Sequence, residues 1–152
     1  MNEDIGFVLI KLLNNKTYDS ILNTVEQFIK RRPYQQHVVF NSYSEKSNTF
    51  NVPIFHLQQA QFFDGKLILF DMPSVILSNQ FPNISKRILF TSDTHWTQTN
   101  TGMYEQWRSI YEQENLDIIV TSPVLNDLYS MCWKRPIATV EQFTYEELSK
   151  YI

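Results

Sequence analysis

The sequence predicts a three-layer, Rossmann-like α/β domain: a mainly parallel sheet of about six or seven strands with helices on both faces. Three observations point there. Apolar runs of strand length recur along the whole chain, and most are separated by segments whose apolar residues repeat at three and four positions. Strand, helix, strand order then calls for parallel pairing, with crossovers of one hand that place helices above and below the sheet. With 152 residues, 43% of them apolar, the chain has the size and material of one domain spanning 1–152.

The first strand is expected at 6–12 (GFVLIKL), a continuous apolar run rather than an alternating one, as suits a strand covered on both faces. Tyr18, Ile21, Leu22, Val25, Phe28 and Ile29 follow on one helical stripe. Lys30, Arg31 and Arg32 complement the negative end of that helix, and Pro33 stops it. Residues 37–40 (HVVF) form a second strand, followed by a polar loop over 41–49. A third strand at 53–57 (PIFHL) belongs near an edge, because Pro53 donates no ladder hydrogen bond.

After the Asp64-Gly65 turn, KLILFD forms a fourth strand over 66–71, and Pro73 opens a short helix through Leu77. RILFT at 87–91 is the fifth strand. Met103, Trp107, Ile110 and Tyr111 share a helical face, and 116–120 (LDIIV) is a sixth strand. Ser122 as cap and Pro123 at the first helical position begin another helix, with Val124, Leu125, Leu128, Tyr129 and Cys132 expected to face inward. A seventh strand at 136–140 (PIATV) precedes a terminal helix opened by the capping box Thr144-Tyr-Glu-Glu147.

Thirteen basic against sixteen acidic residues give a formal charge of −3, too small and too mixed for the one-sign field that broad nucleic-acid or anionic-membrane binding needs. The lone Cys132 forms no internal disulfide, and several zinc-ligating thiolates are absent, so a reducing cytoplasm is the expected location. Neither a leader nor a membrane span is expected, since Asn2, Glu3 and Asp4 are not a basic region and no apolar run reaches bilayer length. Three Gly and two Ala against fourteen Ile and twelve Asn indicate AT-rich coding.

Ligands of open parallel sheets bind beyond the carboxyl ends of the strands, which directs attention to loops beginning at Asn41, Asp71, Ser92 and Ser122. Ligand contacts are expected from Asn41 and Ser42, from Asp71, from Ser92, Thr94 and Trp96, and from Ser122 and Asn126. Trp96 has two readings, a core indole and a surface on which a base or sugar ring stacks. Neither GxGxxG nor GxxxxGK occurs; Lys11-Leu12-Leu13-Asn14-Asn15 stands after the first strand, so no dinucleotide or other cofactor is expected. Cys132 reads as a small core residue, and His56, inside an apolar strand, as a structural histidine.

Ser-Asp-Thr-His at 92–95, after an apolar strand, resembles the opening motif of calcineurin-like metallophosphoesterases, in which Asp and His bind the first of two metals. That family also has a Gly-Asp, a Gly-Asn-His and further histidines downstream, whereas no histidine follows His95 here. A metal would need His37 and His56 from other strands, and none is expected.

From Leu116 onward, LDIIVTSPVLNDLYSMCWKRPIATV resembles the end of the N-terminal lobe of GT-B glycosyltransferases. RILFTSDTHW is similar to that fold's strand running into a His- and Asp-containing loop at the cleft. The resemblance implies a catalytic position for His95 and Asp93, on the acceptor side where such enzymes place a base. In the family the last strand leads into a second, donor-binding lobe, whereas Glu141-Gln142-Phe143 leads here into one helix, so a free-standing transferase is not expected. Length and composition also resemble small proteins that T4-like bacteriophages encode beside their tail-fibre assembly chaperone, which implies synthesis in an infected bacterial cytoplasm.

Two functions follow. The first is a non-catalytic binding or adaptor protein acting through a protein partner or as a homodimer. The second is a small enzyme or sensor directed at a nucleotide or nucleotide sugar, working at the carboxyl edge of the sheet through Asp93, His95, Trp96 and Ser122.

Overall fold

The computed structural model describes residues 3–10, 14–42, 49–98 and 103–152. Seven strands form one sheet in the order β3-β2-β1-β4-β5-β6-β7, and every neighbouring pair is parallel. They are β1 (Ile5–Leu9), β2 (His37–Asn41), β3 (Ile54–His56), β4 (Gly65–Leu69), β5 (Ile84–Thr91), β6 (Leu116–Val120) and β7 (Ala138–Thr139). The chain steps outward from β1 to β2 and β3, returns to the far side of β1 at β4, and then steps outward the other way. With crossovers of one hand, that reversal sends the helices to opposite faces.

The strand sequences record this double cover. Ile5, Phe7 and Leu9 of β1 join Ile68, Ile88 and Ile119 in a core completed by α1 (Asn15–Arg31) and by Leu148 of α5 (Tyr145–Leu148). Val8, Leu67, Leu69, Leu89 and Ile118 point the other way, into a second core. That core is covered by α2 (Met72–Ser78), α3 (Tyr104–Tyr111) and α4 (Pro123–Cys132). Alternate residues of the central strands therefore serve opposite cores, which is why their runs in the sequence are unbroken rather than alternating.

Helix α1 matches its sequence signals. Asn14 caps it, accepting from Thr17 N at 2.9 Å, and Ile21, Leu22, Val25 and Phe28 are buried along one side. Its basic end reaches into the C-terminal segment. Arg32 donates to the carbonyls of Ile152 at 2.9 Å and Ser149 at 2.7 Å, while Arg31 pairs with Glu146 at 3.0 Å.

Several boundaries differ from the expected ones, each for a local reason. β4 ends at Leu69 because Asp71 turns to cap α2, its Oδ1 accepting from Ser74 N at 2.8 Å. Leu57 leaves β3 for a 3-10 turn, Leu57–Phe62, started by the His56 imidazole accepting from Gln58 N at 3.3 Å. That turn has no apolar period to announce it. β7 shrinks to two residues at a sheet edge. Thr144 precedes α5 without a side-chain capping bond; Glu147 accepts instead from Gln142 N at 3.4 Å. Lys11 and Leu12 of the expected first strand and the greater part of the 41–49 loop lie outside the described residues.

Gly65 starts β4 at φ +144°, with the Asp4 carbonyl oxygen 2.3 Å from where a Cβ would sit. Only glycine fits that position. The largest correction concerns α4. Leu125 is half-buried and Tyr129 fully buried, but Val124, Leu128 and Cys132 face solvent rather than the core.

Candidate functional site

The expected ligand edge holds a cavity of about 210 Å3 beyond the carboxyl ends of β4 and β5, roofed by the first turns of α1. Phe70, Phe90 and Phe143 form its floor, and Thr17, Ser20 and Ser92 bring hydroxyls to it. The three rings meet edge to face, with Phe143 centred 4.9 Å from Phe70 and 5.0 Å from Phe90. Phe143 is held in place from α1, where the buried Thr24 hydroxyl donates to its carbonyl at 2.7 Å. Ile21 and Thr91 complete the described lining, and none of the eight side chains is ionisable. It lies at the carboxyl edge where open parallel sheets bind ligands, one strand from the β1–β4 junction at which the strand order reverses.

Of the site residues expected from sequence, Ser92 lines this cavity and the others stand around it or across the sheet edge. After Ser92 the loop crosses to the α3–α4 face. Asp93 N donates to Thr91 Oγ1 at 3.1 Å, and Asp93 Oδ1 accepts from Thr94 N at 2.6 Å, so the carboxylate shapes its own turn. The Thr94 hydroxyl lies 3.0 Å from that of Thr97. His95 is half-buried and begins a 3-10 turn, His95–Gln98.

Trp96 packs edge to face on Tyr129 at 4.7 Å, Tyr111 at 5.6 Å and Trp133 at 5.8 Å, within an aromatic cluster that joins α3 to α4. Tyr129 also donates to the Asp93 carbonyl at 2.9 Å. Burial pushes the phenol of Tyr129 up to about 12 and raises that of Tyr111 as well, so both stay protonated.

The remaining expected contacts are built into local structure. Asp71 caps α2, and Ser122 caps α4 by accepting from Leu125 N at 3.3 Å. Asn126 is half-buried one turn into α4. Asn41, buried at the end of β2, donates to Tyr18 Oη at 2.9 Å, and Ser42 donates to the Ile10 carbonyl at 3.0 Å. His37 and His56 stand on β2 and at the end of β3, with His37 at the amino end of its strand and His95 beyond the carboxyl end of β5. Among the described residues no three His, Cys, Asp or Glu side chains group so as to hold a metal ion, and no helix is long and apolar enough to cross a membrane.

A second feature lies at the other end of the sheet. Val124, Leu128 and Met131 follow one another at helical spacing along α4 and are 69%, 38% and 82% exposed, with Ile137 beside β7 at 41%. Ten residues of this helix carry a single charge, Asp127. No family model, curated protein or solved structure matches the chain. Function is therefore argued from these two regions.

Sequence reasoning missed Thr17, Ser20, Phe70, Phe90 and Phe143. Thr17 and Ser20 were legible in principle, three residues apart at the start of the most regular helix. Phe70 and Phe90 sit at the ends of two recognised strands. Nothing in the sequence ties Phe143 to them, because its place depends on a contact with Thr24 across 119 positions.

Proposed function

We propose that the chain is a non-catalytic binding protein built on a glycosyltransferase-like Rossmann lobe, a phage accessory protein working in the infected cytoplasm. It acts through self-association or a protein partner, with α4 as the contact surface. The observation that carries this reading is the exposed stripe Val124, Leu128 and Met131 on a helix bearing one charge in ten residues. Isolated exposed apolar residues are ordinary, but three in register on a charge-poor helix resemble the centre of an interface. Self-association fits best. An antiparallel pair of α4 helices about a two-fold axis at Leu128 would set Val124 of one copy against Met131 of the other, a self-complementary contact with little like-charge repulsion.

Light scattering across a concentration series tests this, with Met131→Asp as the comparison. Dimers that Met131→Asp converts to monomers support self-association, and a monomer at every concentration contradicts it. A partner is supported where an identified protein copurifies with the native chain and is lost from the folded variant.

A second reading, a small-molecule sensor directed at a nucleotide or sugar, is favoured by the cavity beyond the carboxyl ends of β4 and β5, one strand from the reversal in strand order between β1 and β4. The lining side chains among the described residues favour binding over catalysis, since they include no acid, base or thiol nucleophile.

A further inference from the structure

We infer that the cavity over β4 and β5 takes a neutral, flat heteroaromatic ring with hydrogen-bonding groups on its edge, the chemistry of a nucleobase. The inference rests on the sensor reading above. Its first support is the floor. Phe70, Phe90 and Phe143 are each only half-buried, and their edge-to-face arrangement leaves hydrocarbon surface against which a fourth aromatic ring packs favourably.

The second support is the rim. Thr17 and Ser20 lie three residues apart on one face of α1, and Ser92 approaches from the end of β5. Each hydroxyl donates or accepts as required, so the set suits a ring edge that carries both kinds of group. Thr91 is already engaged, its Oγ1 accepting from Asp93 N at 3.1 Å.

Size and charge narrow the class. At about 210 Å3 the cavity is smaller than the roughly 300 to 1,000 Å3 of sites for drug-sized ligands, so it suits one ring system rather than a dinucleotide. Among the described residues no cation lines it to pair with a phosphate, and the ring is the part that these side chains recognise. A pyranose carries hydroxyls around its whole circumference. Seated here, it would press several of them against phenylalanine carbon without partners, which is costly.

Ligand-observed saturation-transfer NMR with purine and pyrimidine nucleosides tests the inference, with methyl glucoside as the sugar arm. Ser20→Phe fills the mouth from an exposed helix position, and Phe143→Leu removes a floor ring while keeping an apolar side chain. Nucleosides should receive saturation through their base protons, and each folded variant should weaken their binding at least tenfold. Unchanged nucleoside binding in folded Ser20→Phe overturns the site. Glucoside binding without nucleoside binding overturns the ring class and leaves the sensor reading standing, whereas no binding by either class overturns both.

Discussion

Helices α1 and α4 both flank the sheet and both carry apolar residues at helical spacing, yet they use them differently. Along α1, Ile21, Leu22, Val25 and Phe28 are buried, while on α4 only Tyr129 is fully buried and Val124, Leu128 and Met131 stand in solvent. The difference lies in what each helix covers. α1 packs over the central strands and is closed from the other side by α5 and the C-terminal segment. α4 sits at the edge, where β7 offers only two paired residues. Periodicity reports that a helix has an apolar stripe; the area of its neighbours decides whether the stripe becomes core.

The largest contrast should come from truncation. Phe28→Ala in α1 removes a fully buried ring that touches Phe7, His37 and Tyr145, and should cost about 3 to 5 kcal/mol in urea unfolding. Met131→Ala on α4 should change the stability of the dissociated protein by less than about 0.5 kcal/mol. Comparable losses at both sites would erase the distinction.

The α1 side also carries a pH signature. His37 is buried against Phe28, and burial pulls its pKa down to about 4 from 6.5, a shift that its interaction with the Gln35 backbone opposes without cancelling. The unfolded chain then binds the extra proton between pH 6.5 and 4. Stability from this group is therefore complete above about 6.5 and declines as the pH falls through that window, by about 3 kcal/mol in total. His37→Phe should flatten this part of the stability profile while leaving α4 variants pH-sensitive. A profile unchanged by the substitution would mean that His37 titrates normally.

A smaller effect tests the link between α1 and the cavity. Thr24→Val deletes the hydroxyl that holds the Phe143 carbonyl and should cost about 1 kcal/mol in thermal unfolding. Its amide exchange should quicken around residue 143 and stay unchanged in α4. Uniform loosening would show that the contact is not local.

How far the sequence could be read follows the same contrast. The parallel sheet, the edge position of β3 and the Ser122-Pro123 start of α4 were legible because each depends on neighbours close in the chain. The outward turn of Val124 and Leu128 was not, since it depends on how little sheet lies beneath them. The 92–96 loop was placed correctly at the carboxyl edge, but its division was hidden: Ser92 faces the cavity and Trp96 joins the aromatic cluster on the other side. Only the packing of α3 and α4 draws the indole across. The cavity floor was illegible for a related reason, since Phe70, Phe90 and Phe143 meet only after β4, β5 and the C-terminal segment assemble.

The exposed face of α4 is tested most directly by sedimentation equilibrium of the native chain beside Met131→Asp. A concentration-dependent dimer for the native chain and a folded monomer for the variant are expected. A native chain that stays monomeric, or a variant that dimerises equally well, would contradict self-association through α4.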